Sequence, residues 1–115
     1  MATIYKICPA ALWREAVAAG VFRGSPVDLA DGFIHFSTAA QVAETAVRHF
    51  AGQDDLVLAA FDDGDIGDVR YEPSRGGQLF PHLHAPLDPK QALWVRPMTM
   101  RADGTHILPI TRHDL

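Results

Sequence analysis

The feature that most constrains this chain is residues 31–38, a short apolar run that carries a single histidine. Asp31 and Gly32 form a turn dipeptide, and the run that follows is apolar or aromatic except at His35, as expected of a strand that crosses a core. Because side chains alternate along a strand, the pattern predicts that His35 and Ser37 point the same way. The stretch therefore indicates a site, although it does not identify a reaction.

A helix is predicted directly after this strand. Thr38 and Gln41 have the spacing of a capping box, and Ser37 is an alternative N-cap one residue earlier. An apolar stripe continues to Phe50. His49 near its end is interpreted as structural, because a partial positive charge there suits the helix dipole. The helix N-terminus and the strand together predict a pocket wall that suits a phosphate, carboxylate or carboxamide.

The remaining segments predict an α+β fold. A first helix is predicted over residues 9–20, and a loop over residues 21–30. Strand patterns occupy residues 3–8, 55–62, 69–72, 78–84, 92–98 and 105–109. Pro81 argues that its segment is an edge strand or an irregular crossing. The later links are too short for helical crossovers, so we expect a single domain, residues 1–115, with a curved, mostly antiparallel sheet and two main helices near the N-terminus.

Length and charge exclude several classes of protein. The 115 residues suit one domain, and a net charge of −4 argues against bulk nucleic acid as a partner, since that binding depends on Lys and Arg. Cys8 is the only cysteine, so no internal disulfide is possible. The sequence shows neither a secretory signal nor a run approaching the roughly 20 apolar residues of a membrane span, so we expect a cytoplasmic protein without a membrane partner.

His35 is the leading candidate for chemistry. A buried histidine must be hydrogen-bonded, so one interpretation is a core residue paired with a backbone carbonyl, and the other is a functional residue acting with Ser37. His82 is predicted to line the same cleft, and two facing histidines suit proton transfer or recognition of a polar ligand. His35, Ser37 and His82 are therefore the candidate catalytic residues.

Five further residues are candidates for ligand contact. Arg23 lies on the loop before the central strand, where it could contact an anion at the lip of the cleft. Glu72 is a strand-borne carboxylate, and its alternation with Arg70 favours an ion pair over a general base. The other three candidates are Thr38, Gln41 and Phe80.

Histidine spacing also raises the possibility of a metal. His82 and His84 form an H-x-H pair, and with His35 they could make a three-histidine zinc site. No cysteine cluster or second carboxylate supports that ligand set. We therefore assign no metal to the site.

The order of these motifs resembles the bacterial family called domain of unknown function 952. The segments that carry the resemblance are Ile4-Tyr5-Lys6-Ile7, Trp13, Asp31-Gly32-Phe33-Ile34-His35-Phe36-Ser37-Thr38 with Gln41, and Phe80-Pro81-His82-Leu83. They span nearly the whole chain. The resemblance implies a fold similar to that of ADP-ribosyltransferases, in which a split, curved β structure holds NAD in a cleft flanked by a small helical portion.

The resemblance also implies two functional hypotheses. Ser37 and Thr38 could stand at the Ser/Thr motif of active transferases, and His35 with Ser37 resembles the His-x-Ser pattern of RNA 2′-phosphotransferases. The first hypothesis is an enzyme that binds NAD or another nucleotide-like ligand through His35, Ser37 and His82. The first strand offers neither the Arg nor the His expected of such enzymes. The alternative is therefore a non-catalytic small-ligand-binding or interaction module on the same fold.

Overall fold

The computed structural model describes residues 1–114. Its three α-helices all precede residue 51, and they are α1 (Ala10–Ala19), α2 (Pro26–Asp31) and α3 (Val42–Phe50). The strands are β1 (Thr3–Pro9), β2 (Ile34–His35), β3 (Ser37–Thr38), β4 (Leu56–Asp62), β5 (Val69–Pro73), β6 (Leu79–Leu83), β7 (Trp94–Met100) and β8 (His106–Ile107). None of the helices over residues 1–114 is both long and apolar enough to span a membrane.

The strands form two sheets, and every pair within them is antiparallel. Five strands pair in the order β3-β1-β4-β7-β8, and three pair in the order β2-β6-β5. The predicted α+β class with an antiparallel sheet is thus confirmed. The structure differs in its third helix, α2, which the sequence reading assigned to a loop.

The apolar run of β4 explains the layering of the core. Its burial on both faces requires a helix on each side of the sheet, and α1 and α3 supply them. On one face, Trp13 of α1 packs at a ring-centroid distance of 6.2 Å from Phe61 of β4. On the other, Val42 and Ala46 of α3 join Leu58 of β4 in a second buried cluster.

The predicted strand through His35 is broken at Phe36, so its two halves belong to different sheets. The N–H of Phe36 donates to the carbonyl of Pro81 at 2.9 Å, but Pro81 has no N–H to return the second bond of an antiparallel pair. Pairing with β6 ends there, and the chain passes directly to β3, where Ser37 lies opposite Tyr5 of β1. The single-strand prediction is therefore wrong.

The same proline corrects the prediction for β6. An edge position was expected for this segment, yet β6 lies in the middle of its sheet, between β2 and β5. The missing donor of Pro81 faces the short β2 side, where Phe36 leaves the sheet. The five register pairs between β5 and β6 are unaffected.

The predicted N-terminus of the helix after the strand is also wrong. Thr38 pairs with Ile4 in the sheet and stays extended, so α3 begins only at Val42. Half of the predicted capping box survives, since the Gln41 side chain accepts the N–H of Thr38 at 3.1 Å. Tertiary strand pairing has overridden a local helix signal.

The helix missed by the sequence reading, α2, has a full capping box. Ser25 is its N-cap, Pro26 is its first residue, and the Asp28 side chain accepts the Ser25 N–H at 2.8 Å. Gly32 in the left-handed conformation ends the helix. The predicted turn at residues 31–32 is therefore the C-terminus of α2. Asp28 of this helix is buried.

Two glycines next to helices should respond differently to alanine. At Gly24 (φ +124°) an added Cβ would lie 2.7 Å from the Cβ of Asp28, whereas at Gly20 (φ +78°) it would meet nothing within 4 Å. We expect Gly20→Ala to lower the free energy of unfolding by about 1–2 kcal/mol through backbone strain alone. Gly24→Ala should cost about 3 kcal/mol or more, because a clash is added. Urea denaturation measures both, and equal losses would contradict this packing.

Candidate functional site

A buried carboxylate organises one wall of the site. Asp28 is 1% exposed, and Lys6 of β1 places its Nζ 2.8 Å from Oδ2 and 3.0 Å from Oδ1. Its Oδ1 also accepts the backbone N–H of His35 at 3.1 Å and lies 2.6 Å from His35 Nδ1. The hydroxyl of Ser25 lies 2.9 Å from Oδ2. The carboxylate thus ties α2, β1 and β2 together.

Asp28 remains ionised despite its burial. Burial by itself would raise the pKa of the carboxyl, but the hydrogen bond from His35 and the adjacent Lys6 charge hold the pKa well below its usual range. The desolvation cost of the charge is offset by these donors, which surround both oxygens. Asp28 is therefore a permanent anion inside the folded protein.

His35 lies between two carboxylates. Asp28 faces its Nδ1, and Asp31 Oδ2 lies 2.9 Å from its Nε2. The ring can donate to both oxygens only when it carries both protons. The His35 side chain is 29% exposed, so its position is fixed while the ring still reaches the cleft.

A second carboxylate–histidine pair lies on the neighbouring strand. Glu72 Oε1 is 2.8 Å from His82 Nδ1 and 2.8 Å from His84 Nε2. Register explains this contact, because His82 lies opposite Arg70, and Glu72 is its diagonal neighbour on the same face. Hydrogen bonds from His84 and His82 lower the pKa of Glu72. The predicted Glu72–Arg70 ion pair is wrong, since Arg70 bonds Asp68 at 2.7 Å.

The other ring nitrogen of His82 is one of two atoms on cavity-lining residues that are buried without a hydrogen-bond partner among residues 1–114, the hydroxyl of Tyr5 being the other. His82 is 3% exposed, and its Nε2 is buried without a hydrogen-bond partner among residues 1–114. With the carboxylate of Glu72 at Nδ1, the neutral ring carries its proton on Nδ1 and leaves a lone pair on Nε2. Burial lowers the pKa of His82, which favours this neutral form. Buried polar atoms are rarely left unsatisfied.

The two carboxylate–histidine pairs face one another. His35 and His82 are direct cross-strand partners, and their ring centroids are 5.4 Å apart. The Phe33 ring stacks on the His82 ring with their centroids 4.1 Å apart, and its centroid lies 5.2 Å from that of His84. An aromatic ring therefore fills the space among the histidines. No group of three or more His, Cys, Asp or Glu side chains within the described part of the chain is placed to hold a metal ion.

Four of these residues, Lys6, Asp31, His35 and His82, belong to the lining of a cavity of about 560 Å³ that strands of both sheets border. Its lining residues are Tyr5, Lys6, Ile7, Val27, Asp31, His35, Phe36, Ser37, Thr45, His49, Phe50, Ser74, Arg75, Phe80 and His82. The cavity exists because β3 pairs with β1 only as far as Tyr5, while β4 pairs along all of β1. Over residues 1–114 no strand covers that side of β1 beyond Tyr5, and Lys6 and Ile7 face the opening.

The far wall of the cavity comes from α3 and from the loop before β6. Ser37 Oγ lies 2.9 Å from Thr45 Oγ1, so this hydroxyl is held in place. The Arg75 guanidinium lies 2.8 Å from His49 Nε2 and 5.1 Å from the centre of the Phe80 ring. His49, interpreted from sequence as structural, thus lines the cavity.

The structure brings together four of the eight candidate residues. His35, Ser37, Phe80 and His82 line the cavity. The remaining four lie outside its lining, and they are Arg23, Thr38, Gln41 and Glu72. Glu72 acts through His82, and Gln41 donates to the Leu79 carbonyl at 2.8 Å, which holds α3 against β6. Arg23 lies at a separate cavity of about 340 Å³.

Three residues near these candidates, Lys6, Asp28 and Arg75, were not predicted as site residues from the sequence. Asp28 had a readable signal, since Ser25, Pro26 and Asp28 form a helix start with the capping acid at N3. Lys6 had none, because a lysine in an alternating strand reads as solvent-facing. Arg75 lies between the predicted strands 69–72 and 78–84, and only the packing of this loop on α3 places it at the cavity.

Comparisons with known proteins agree on one family. A family described as protein of unknown function (DUF952) matches residues 7–95. The crystal structure of protein CC0527 from Caulobacter crescentus is 45% identical, over 91% of this chain and 93% of that chain, with a TM-score of 0.85. A double mutant of CC0527 gives 44% identity over the same shares and a TM-score of 0.87.

The solution NMR structure of CC0527 is also similar. It is 47% identical over 91% of each chain, with a TM-score of 0.82. Among curated proteins no significant match is found. The descriptions of the matching family and structures name no activity.

Asp28→Asn tests the organising role of the buried carboxylate. The variant leaves Lys6 buried without a counter-charge, so we expect the free energy of unfolding at neutral pH to fall by roughly 3–5 kcal/mol. Because the pKa of Asp28 is lower in the folded than in the unfolded chain, its ionisation stabilises the folded state at a pH above the usual carboxyl pKa. This contribution is lost progressively as the pH falls below about 4. The difference between wild type and variant should shrink over that range.

Urea denaturation from about pH 3 to 7 measures this difference. Glu15→Gln on α1 is the matched control, because Glu15 is exposed and its loss should change stability by no more than about 0.5 kcal/mol. Equal stability of wild type and Asp28→Asn at neutral pH would contradict the role given to Asp28.

Proposed function

The chain belongs to the DUF952 family of proteins of unknown function, and since membership assigns no activity, we propose from the site itself that the cleft binds a small nucleotide-like ligand. The observation that carries the proposal is the buried His82 Nε2, which has no partner among residues 1–114 and belongs to a residue that lines the cavity. In this proposal the side chains that cover the buried nitrogen shift when the ligand enters, and a ligand N–H or O–H donor then bonds that lone pair.

The size and walls of the cavity support a ligand of this class. Small-molecule sites are clefts of about 300–1,000 Å³ with apolar walls and a few placed polar groups, and this cavity of about 560 Å³ lies within that range. Its apolar walls include Ile7, Phe50 and Phe80, and its polar groups include His35 and His82. The motif resemblance to ADP-ribosyltransferases adds support, because that fold also holds a nucleotide between curved β structures.

His82 is assigned the role of proton acceptor in this proposal. Glu72 fixes the ring through Nδ1, and burial keeps the ring neutral, so Nε2 is a base that can take a proton from a ligand hydroxyl or amide. His35 orients the ligand from the opposite strand, with Asp28 and Asp31 holding its ring. Ser37 shapes the wall through its hydrogen bond to Thr45.

NAD is one ligand that the resemblance implies. Its carboxamide carries an N–H donor, and His82 Nε2 is an acceptor without a partner among residues 1–114. The residues of the cavity therefore fit the carboxamide of NAD. When bound, NAD supplies an ADP-ribosyl group for transfer. His82 would bind the carboxamide of NAD. Phe80 and Ile7 are apolar lining residues that would pack against its nicotinamide ring.

A second candidate is a binding module without catalysis. Its support is that the carboxylates near the cleft are already engaged within residues 1–114. Asp28 neutralises Lys6, Glu72 bonds two histidines, and Asp31 bonds His35. A transferase that needs a carboxylate to stabilise developing positive charge would have to break one of these contacts.

His82→Phe is the sharpest test of ligand binding. The substitution keeps an aromatic ring against Phe33 and removes Nε2, so we expect it to abolish the rise in melting temperature that NAD or AMP gives to the wild type. His84→Phe is the matched control, because it also removes a bond to Glu72 but lies outside the cavity lining. The proposal would be contradicted if neither nucleotide raised the melting temperature of the wild type. It would also be contradicted if His82→Phe showed the same rise as the wild type.

The pH dependence offers an independent check on the same role. Burial lowers the pKa of His82, so the neutral, proton-accepting form persists below the usual histidine pKa of about 6.5. The affinity for a donor ligand should therefore be kept at about pH 6.5 and fall only in more acidic solution. Calorimetric titration of adenosine across this range measures the midpoint without the phosphate of AMP, which itself titrates at about pH 6. A midpoint above the usual histidine value would contradict the assignment.

Release of nicotinamide separates the two candidate functions. If the protein is an enzyme, we expect wild type to release nicotinamide from NAD and His82→Phe to release none. Chromatography of the incubated mixture measures the nicotinamide. The binding module predicts saturable binding of NAD with no nicotinamide over long incubation.

A further inference from the structure

Arg75 is the cavity residue whose placement goes beyond the binding role proposed above. It starts a short 3₁₀ turn, Arg75–Gly77, on the loop between β5 and β6. Its guanidinium lies 2.8 Å from His49 Nε2, 3.4 Å from Thr45 Oγ1 and 5.1 Å from the Phe80 ring centre. Contacts from both α3 and β6 therefore hold this cation at the cavity.

The charge of Arg75 is not neutralised by those contacts. Two residues of the cavity lining are lysine or arginine, namely Lys6 and Arg75. Lys6 is paired with the buried Asp28. No carboxylate in the described residues lies within ion-pair distance of Arg75, and its three neighbours are an imidazole, a hydroxyl and an aromatic ring. Most of its five N–H donors remain available to a ligand.

His49 holds Arg75 as a neutral acceptor. A guanidinium only donates, so His49 Nε2 must present its lone pair in this contact. Burial, followed by the charges of Arg75 and Arg48, lowers the pKa of His49, which is consistent with a neutral ring. An anion beside Arg75 would reverse the electrostatic part of this effect.

We propose that Arg75 binds a phosphoryl group of the ligand, so that the cleft selects phosphorylated over unphosphorylated nucleosides. The inference rests on the proposed function, since it names the group that the nucleotide-like ligand presents at this wall. The planar fork of arginine matches phosphate oxygens through two parallel hydrogen bonds. Ser74 adds a hydroxyl at the same wall.

The two polar walls then divide recognition between them. His82 takes a donor of the ligand on the β6 side, and Arg75 takes its anionic group on the α3 side. A ligand that offers only one of these groups loses half of the polar recognition. AMP and adenosine differ by the phosphoryl group alone, and so they isolate the contribution of Arg75.

Calorimetric titration of AMP and adenosine into four proteins tests the inference. They are wild type, Arg75→Gln, Arg75→Lys and Arg14→Gln, the last being the matched control from the exposed face of α1. We expect AMP to bind the wild type and Arg14→Gln roughly tenfold to a hundredfold more tightly than adenosine. That preference should vanish in Arg75→Gln and recover partly in Arg75→Lys, which keeps the charge but not the fork.

The outcomes separate this inference from the proposed function. If AMP and adenosine bind but Arg75→Gln keeps the full preference for AMP, the phosphoryl contact is wrong and the binding cleft stands. If neither binds the wild type, the proposed function fails, and inorganic pyrophosphate then decides the Arg75 site. A pyrophosphate-induced rise in the pKa of His49, followed by NMR in wild type and lost in Arg75→Gln, upholds the site. No change in wild type overturns it.

Discussion

The structure depends on one buried anion. Asp28 lies on a short helix, yet its carboxylate contacts β1 through Lys6 and β2 through both the backbone and the ring of His35. An ionised carboxylate in the interior is stable only when donors surround it, so each of these contacts is required by the others. The helix, the edge of one sheet and the first strand of the other are therefore positioned by a single charge.

Asp31 accounts for the difference between the two facing histidines, because it lies at Nε2 of His35 while Nε2 of His82 has no partner among residues 1–114. His35 has carboxylates at both ring nitrogens, whereas His82 has one at Nδ1 and an unsatisfied Nε2. Strand register makes the two rings neighbours, but their surroundings give them different hydrogen-bond partners. A residue held from both sides suits orientation, and a buried ring with a free lone pair suits proton acceptance. The cleft thus resembles a site in which one histidine is fixed and the other is available.

Much of this arrangement could be predicted from the sequence, because it follows from local patterns. The helical stripe of α1, the buried run of β4 and the family motifs indicated the α+β class. Four of the candidate residues, His35, Ser37, Phe80 and His82, line one cavity, while their roles stay predictions. The errors arose where distant residues decide local structure. Thr38 is extended because Ile4 pairs with it, and Arg75 reaches the cavity because α3 packs behind it. The capping acid Asp28 was readable, but its inward direction depends on the fold of β1 and β2.

The break at Phe36 has a mechanical consequence. The chain leaves the smaller sheet at His35 and enters the larger one at Ser37, so a single residue joins the two walls. The wall separation at this point is set by covalent bonds. Any widening of the cleft must pivot about Phe36, with the greatest travel at parts of the walls farthest from it. His35 and Ser37, on either side of the pivot, keep a nearly constant spacing while the rest of the cleft widens.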